Sequence, residues 1–253
     1  MPNTKPSLQK IADELAIRNV LGTYCRAIDR LDLAMLKTVY HPDGIDDHGV
    51  FAGNAHEFAD MIIKRMGAST EYGFHTVSHS TIEVKGNFAM AETYYSGYHR
   101  IAGGKAAADF MGPGYAAARA KEGTLGHDHE YTCGGRYIDL FEKRSGVWRI
   151  LHRRITNEWG RTAPTMIDWT AGEVRHFNLP GKRDRSDPYY DLLARFEKLN
   201  QPKAKAKAKA KVKVKPKPKV RASAKKAVTV KTTRRVAVVR KARTPARKTT
   251  PRR

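Results

Sequence analysis

The chain is poor in cysteine, in long apolar runs and, over its last fifth, in acid. Two cysteines, Cys25 and Cys133, make neither a disulfide framework nor a zinc cluster. Reduced thiols in a cytoplasmic setting are the expectation. No run of about 18 apolar residues occurs, so no membrane span is expected. The opening Met1-Pro-Asn-Thr-Lys-Pro-Ser has no apolar h-region, which argues against secretion. Gly-Lys-Ser/Thr phosphate loops, Gly-x-Gly-x-x-Gly and Gly-x-Ser-x-Gly are all missing, which disfavours the common nucleotide-binding and serine-hydrolase readings. Acid is absent from Lys203 to Arg253, where 22 of 51 residues are Lys or Arg. The whole chain carries +23, but residues 1–202 hold 26 bases against 25 acids. A near-neutral body therefore precedes a polycationic tail. The tail's only apolar types are Val and Ala, too little to fold alone.

The body divides by hydrophobic period. Ile11, Leu15, Val20, Leu21, Tyr24 and Ile28 recur at helical spacing, predicting a helix over 7–30. Asp32 is a candidate cap for a second helix, Leu33–Tyr40, and Asn54 for a third from His56 to about Met66. Pro42-Asp43-Gly44 reads as a turn. The period then becomes two. Strands are expected over 74–85 and 88–101, joined at Gly86-Asn87, and over 131–143 and 147–158, joined at Ser145-Gly146. Residues 102–130 read as irregular, with a short helix near 116–121, and as a candidate lid. A last helix is expected over 189–199. Three helices followed by four long strands make an α+β domain with an antiparallel sheet.

Three segments then carry a resemblance. They are Tyr24-Cys-Arg-Ala-Ile-Asp-Arg-Leu-Asp32, Tyr40-His-Pro-Asp-Gly-Ile-Asp-Asp-His-Gly49, and the run from Gly135 to Arg154 that contains Trp148 and Arg153. In order and spacing the sequence resembles the SnoaL-like branch of the nuclear transport factor 2-like superfamily, over about residues 8–160. Members with this pattern include scytalone dehydratase, bile-acid dehydratase and hexachlorocyclohexane dehydrochlorinase. The resemblance implies a cone, in which a curved sheet wraps three N-terminal helices around a pocket, and it implies a homodimer. It also implies chemistry without metal or organic cofactor. The expected division is a SnoaL-like domain at 1–170, an extension at 171–202 and a disordered Lys/Arg-rich tail at 203–253.

A dehydratase or isomerase must remove a proton beside an activating group and stabilise the charge left behind. An imidazole oriented by a carboxylate suits that task. The resemblance places the pair at Asp29 and His79, with Tyr24 as hydroxyl donor and Arg153 as charge stabiliser. From the residues themselves, His75 and His79 lie four apart on one strand and are expected to share a face. Asp46 and His48 share a strand face as acid/base or substrate-orienting groups. Each has a plain alternative. Asp29 could be solvated at a helix end, Tyr24 could be core, Arg153 could pair at the surface, and the histidines could join His127 or His129 on a metal. Tyr95, Tyr98 and His99 line or flank the pocket without an assigned role, and Trp148 reads as core or dimer interface.

The functional expectation is a cofactor-independent lyase or isomerase acting on a hydrophobic small molecule. The alternative is a non-catalytic cone domain that binds a small molecule or partner. The tail is expected to bind nucleic acid without sequence preference, by counterion release, and so to associate with the nucleoid.

Overall fold

The computed structural model describes residues 5–165, 167–168, 171–176 and 181–201. The tail expectation for 203–253 lies outside them. Among the described residues, six helices and one six-stranded sheet make the α+β fold. The helices are α1 (Leu8–Asp29), α2 (Leu33–Thr38), α3 (Ala55–Ser69), α4 (Lys105–Met111), α5 (Pro113–Lys121) and α6 (Pro188–Asn200), with a 3-10 turn at Glu173–His176. The strands are β1 (Tyr40–Asp47), β2 (Ala52–Asn54), β3 (Tyr72–Lys85), β4 (Phe88–Ile101), β5 (His129–Arg144) and β6 (Val147–Pro164).

Sheet order is β2-β1-β6-β5-β4-β3. It is curved and unclosed, and antiparallel except where β1 runs parallel to β6. That junction contains the expected turn. Tyr40 pairs with Ile150 and Ile45 with His152, so Pro42-Asp43-Gly44 loops out of the ladder. A Cβ at Gly44 would sit 2.9 Å from the His41 carbonyl oxygen, so the loop closes only on glycine.

Caps start α2 and α3 where the sequence suggests. The Asp32 carboxylate accepts from Met35 N at 2.9 Å, and Asn54 Oδ1 accepts from His56 N at 2.8 Å. In α1 the buried stripe is Asp13, Ile17, Leu21, Tyr24 and Ile28. Ile11 and Leu15, expected inside, lie on the exposed side. Asp13 takes the inner place because Trp148 Nε1 and Lys143 Nζ donate to its carboxylate at 2.8 and 2.7 Å. Trp148 is therefore core. The helix packs along β3 and β6, and α3 packs on β1.

Residues 102–130 are more regular than expected. Gly104 and Gly112, at φ +70° and +90°, punctuate an Ala-rich stretch into α4 and α5, with Pro113 starting the second. β6 runs six residues past the expected end of its strand.

Candidate active site

A cavity of about 190 Å³ opens between the helices and the inner face of the sheet. Tyr24 from α1, His48 from the end of β1, His75 from β3, and Tyr95 and His99 from β4 line it. Phe110 of α4 covers part of it, packing on His99 and Tyr131.

Asp29 is the last residue of α1, and β3 is an edge strand whose outward amides have no strand partner. The carboxylate fills that gap. It accepts the His75 backbone N–H at 3.0 and 3.1 Å and the His75 ring Nδ1–H at 2.7 Å. The ring is thereby held with its Nε2 lone pair free. Gly97 opposite leaves space for it: a Cβ there would lie 3.4 Å from Nε2 and 3.3 Å from His99 Cε1.

His79 does not join this pair. Between Val77 and Ser80, β3 carries one residue more than its partner segment of β4. The inner positions shift from 73, 75 and 77 to 80, 82 and 84. His79 therefore points outward and is exposed, with a 3.4 Å contact to Thr81 Oγ1. The rule that residues four apart share a face fails across a bulge. The hydrogen-bonded pair is Asp29–His75.

A second imidazole–carboxylate pair stands at the same cavity. His48 Nδ1 lies 3.0 Å from Asp46 Oδ1, and the Tyr40 hydroxyl donates to Asp46 Oδ2 at 2.6 Å. Asp46 is fully buried, and the His48 ring stacks on Phe58 at 4.5 Å. His48 reaches the cavity, while Asp46 stands behind it.

Arg153 is placed otherwise than expected. It is fully buried and does not line the cavity. Its Nε and Nη2 donate to both oxygens of fully buried Asp139 at 2.7 and 2.8 Å. The rings of Tyr24 and Tyr137 lie 4.2 and 4.1 Å from the guanidinium carbon. Its charge is matched inside the core, so it does not meet a ligand directly. Tyr24 does line the cavity, and burial keeps its hydroxyl protonated far above the usual tyrosine range.

His99, like Tyr95 and Tyr98, has no role assigned from the sequence. It is 6% exposed, and its Nδ1 has no partner among the described residues. Burial first, then the neighbouring His75, brings its pKa down to about 3. The ring is neutral and lies 5.1 Å from His75, edge to face. Period-two spacing of Tyr95, Gly97 and His99 on β4 was the available signal.

The two cysteines are buried free thiols. Among the described residues, no three His, Cys, Asp or Glu side chains converge to hold a metal ion. His129 in particular is taken up by Tyr115 at 2.8 Å and by the Leu125 carbonyl oxygen. No described helix is long and apolar enough to cross a membrane.

A curved sheet closing on an N-terminal helix, with an inward imidazole–carboxylate pair, is the arrangement the resemblance implies, and residues 9–154 match the SnoaL-like domain family. The chain belongs to the SnoaL-like domain family. No curated protein sequence matches it. Solved structures are similar to it at low identity. A hexachlorocyclohexane dehydrochlorinase, LinA-type3, from Novosphingobium barchaimii LL02 is 14% identical, over 63% of this chain and 94% of that one, with TM-score 0.48. A candidate scytalone dehydratase from Novosphingobium aromaticivorans is 14% identical, over 62% and 91%, with TM-score 0.47. The Kfla4162 protein from Kribbella flavida is 13% identical, over 60% and 94%, with TM-score 0.47. The SnoaL-like match ends within β6, so residues 181–201 are additional to it.

Proposed function

We propose that this SnoaL-like chain is a cofactor-independent lyase or isomerase acting on a hydrophobic carbonyl compound, with His75 as general base. The observation that carries the reading is the 2.7 Å bond from His75 Nδ1 to Asp29, on a ring that lines the cavity. The carboxylate fixes the tautomer and supports the imidazolium formed when Nε2 takes a proton. In a dehydration, the C–H beside the carbonyl gives its proton to His75 Nε2 and the electron pair forms the C=C bond. The C–O bond breaks, and the leaving oxygen takes a proton from the imidazolium form of His48. Water is released, and proton exchange with solvent resets both rings. Neutral His99 offers its free Nδ1 as a hydrogen-bond partner to a substrate oxygen. Tyr24, Tyr95, Tyr131 and Tyr137 make the wall aromatic, which suits a planar apolar body.

The test is a thermal-shift screen of aryl ketones and β-hydroxy carbonyl compounds, followed by turnover of each hit by wild type and Asp29→Asn. Ligands bound by both proteins but converted only by wild type support an enzyme. Ligands bound and never converted support a binding domain instead. The proposal includes a homodimer, for which the exposed Phe74, Met90 and Tyr94 on the outer sheet face are the supporting observation. It is checked by light scattering.

The tail supports a second, separate activity. Its 22 bases and no acid in residues 203–253 favour polyanion binding. If about 6–10 phosphates are engaged, duplex affinity should fall roughly 10³–10⁵-fold between 50 and 200 mM salt. Salt-insensitive binding, or binding that survives truncation after Pro202, contradicts this.

A further inference from the structure

Arg183 lies outside the 9–154 family match, in the segment that precedes α6. That segment and the start of α6 are docked on the body by Arg30, whose guanidinium meets Asp187 at 3.1 Å, and by Tyr189, which stacks under Arg26 at 4.0 Å. The docking brings the Arg183 guanidinium to two helix ends at once. Nε donates to the Asp29 carbonyl oxygen at 3.3 Å, at the end of α1. Nη1 donates to the Thr70 carbonyl oxygen at 2.7 Å and to Thr70 Oγ1 at 3.0 Å, at the C-cap of α3. Nη2 is buried, has no described partner, and would lie 3.6 Å from a Cβ at Gly73, the residue opposite His99.

A carboxylate at a helix C-terminus is in an unfavourable place, because the last carbonyls carry partial negative charge. Asp29 ends α1, and the Thr70 end of α3 is bridged to it by the same guanidinium. Two negative helix ends and an anion thus share one locus. A guanidinium answers all three, since its planar fork spans two acceptors and keeps its charge when half-buried.

We propose that Arg183 is a positioning residue for the Asp29–His75 pair: it ties the C-terminal ends of α1 and α3 together and offsets their negative charge, so that Asp29 is held as a fixed partner of the His75 ring. The segment around residues 181–201 is then a working part of the site. This rests on the same Asp29–His75 bond as the proposed function, but not on any turnover.

The experiment is proton NMR of the full chain, following the downfield His75 ring N–H bonded to a carboxylate. The resonance is assigned by its loss in His75→Gln and Asp29→Asn. In Arg183→Met it should vanish or exchange with solvent roughly tenfold faster, because both the tether and the compensating charge are gone. Leu192→Ala, at an exposed position of α6 outside the docking contacts, should leave the resonance as in wild type. Retention of normal exchange in Arg183→Met overturns the proposal, as does an equal loss in Leu192→Ala. A wild type without the resonance removes the bond on which both readings stand. A wild type that shows it but converts no carbonyl ligand sinks the enzyme reading and leaves the role of Arg183 standing.

Discussion

Substituting Asp139 by Asn should cost far more than its conservative appearance suggests. Asp139 and Arg153 are directly opposed across β5 and β6 and are both fully buried. The guanidinium has no other carboxylate partner among the described contacts and is closed in by Tyr24 and Tyr137. Removing the carboxylate leaves a guanidinium that can neither deprotonate nor reach water. Breaking such a pair costs about 3–5 kcal/mol, against a total stability of about 5–15 kcal/mol for a domain. Arg153→Met is expected to behave differently, because the group left behind can neutralise itself. Burial already pushes the Asp139 carboxyl above its usual range despite Arg153. Without Arg153 its folded pKa rises further above the unfolded value of about 3.9. The unfolded state then releases that proton first. Stability in Arg153→Met is therefore full below about pH 4 and falls as pH rises, by at most about 1.4 kcal/mol per pH unit. The double variant Asp139→Asn/Arg153→Met should recover part of the loss. Urea unfolding of the four proteins at pH 5 and pH 8 measures all of this. Equal costs for the two single variants, or an Arg153→Met cost that shrinks at higher pH, would refute the reasoning.

Further expectations follow from the same geometry. His79→Gln should leave ligand conversion within about twofold of wild type, while His75→Gln lowers it by about 10²–10⁴; steady-state kinetics on any converted ligand separates them. Gly97→Val should crowd both His75 and His99, given that a Cβ alone reaches 3.3–3.4 Å, and should weaken ligand binding in a thermal-shift titration. His99 binds a proton at about pH 3 when folded and at about 6.5 when unfolded, so it lowers stability as pH falls through that window. His99→Gln should flatten that part of the pH–stability curve, and parallel curves for the two proteins would contradict the buried neutral ring.

Helix starts, the turns after β3 and β5, and the change of period from 3.6 to two were legible because each rests on local chemistry. Asp32 and Asn54 cap what their positions suggest, and Gly86 and Ser145-Gly146 turn the chain at positive φ. Pocket faces were not legible where a strand bulges. One extra residue before Ser80 turns His79 outward and leaves His75 with Asp29. A register break in β6 beside Leu151 moves the inner face from Trp148 and Ile150 to Arg153 and Ile155. Strand periodicity cannot locate such a slip, because every residue beyond it changes side. Asp139 was invisible for a related reason: its meaning lies in the residue directly across the sheet. Arg183 lies some 150 residues from Asp29 in the sequence, and no local pattern links them.

The central claim is that His75, oriented by Asp29, removes a proton from carbon. The most direct test is wash-in of solvent deuterium at the α-carbons of 2-indanone, a planar ketone small enough for a cavity of about 190 Å³, followed by proton NMR. Exchange with wild type should exceed that with His75→Gln by at least about 10²-fold, and Asp29→Asn should fall between them. Exchange that is the same in wild type and His75→Gln, or that disappears instead in His79→Gln, would contradict the claim.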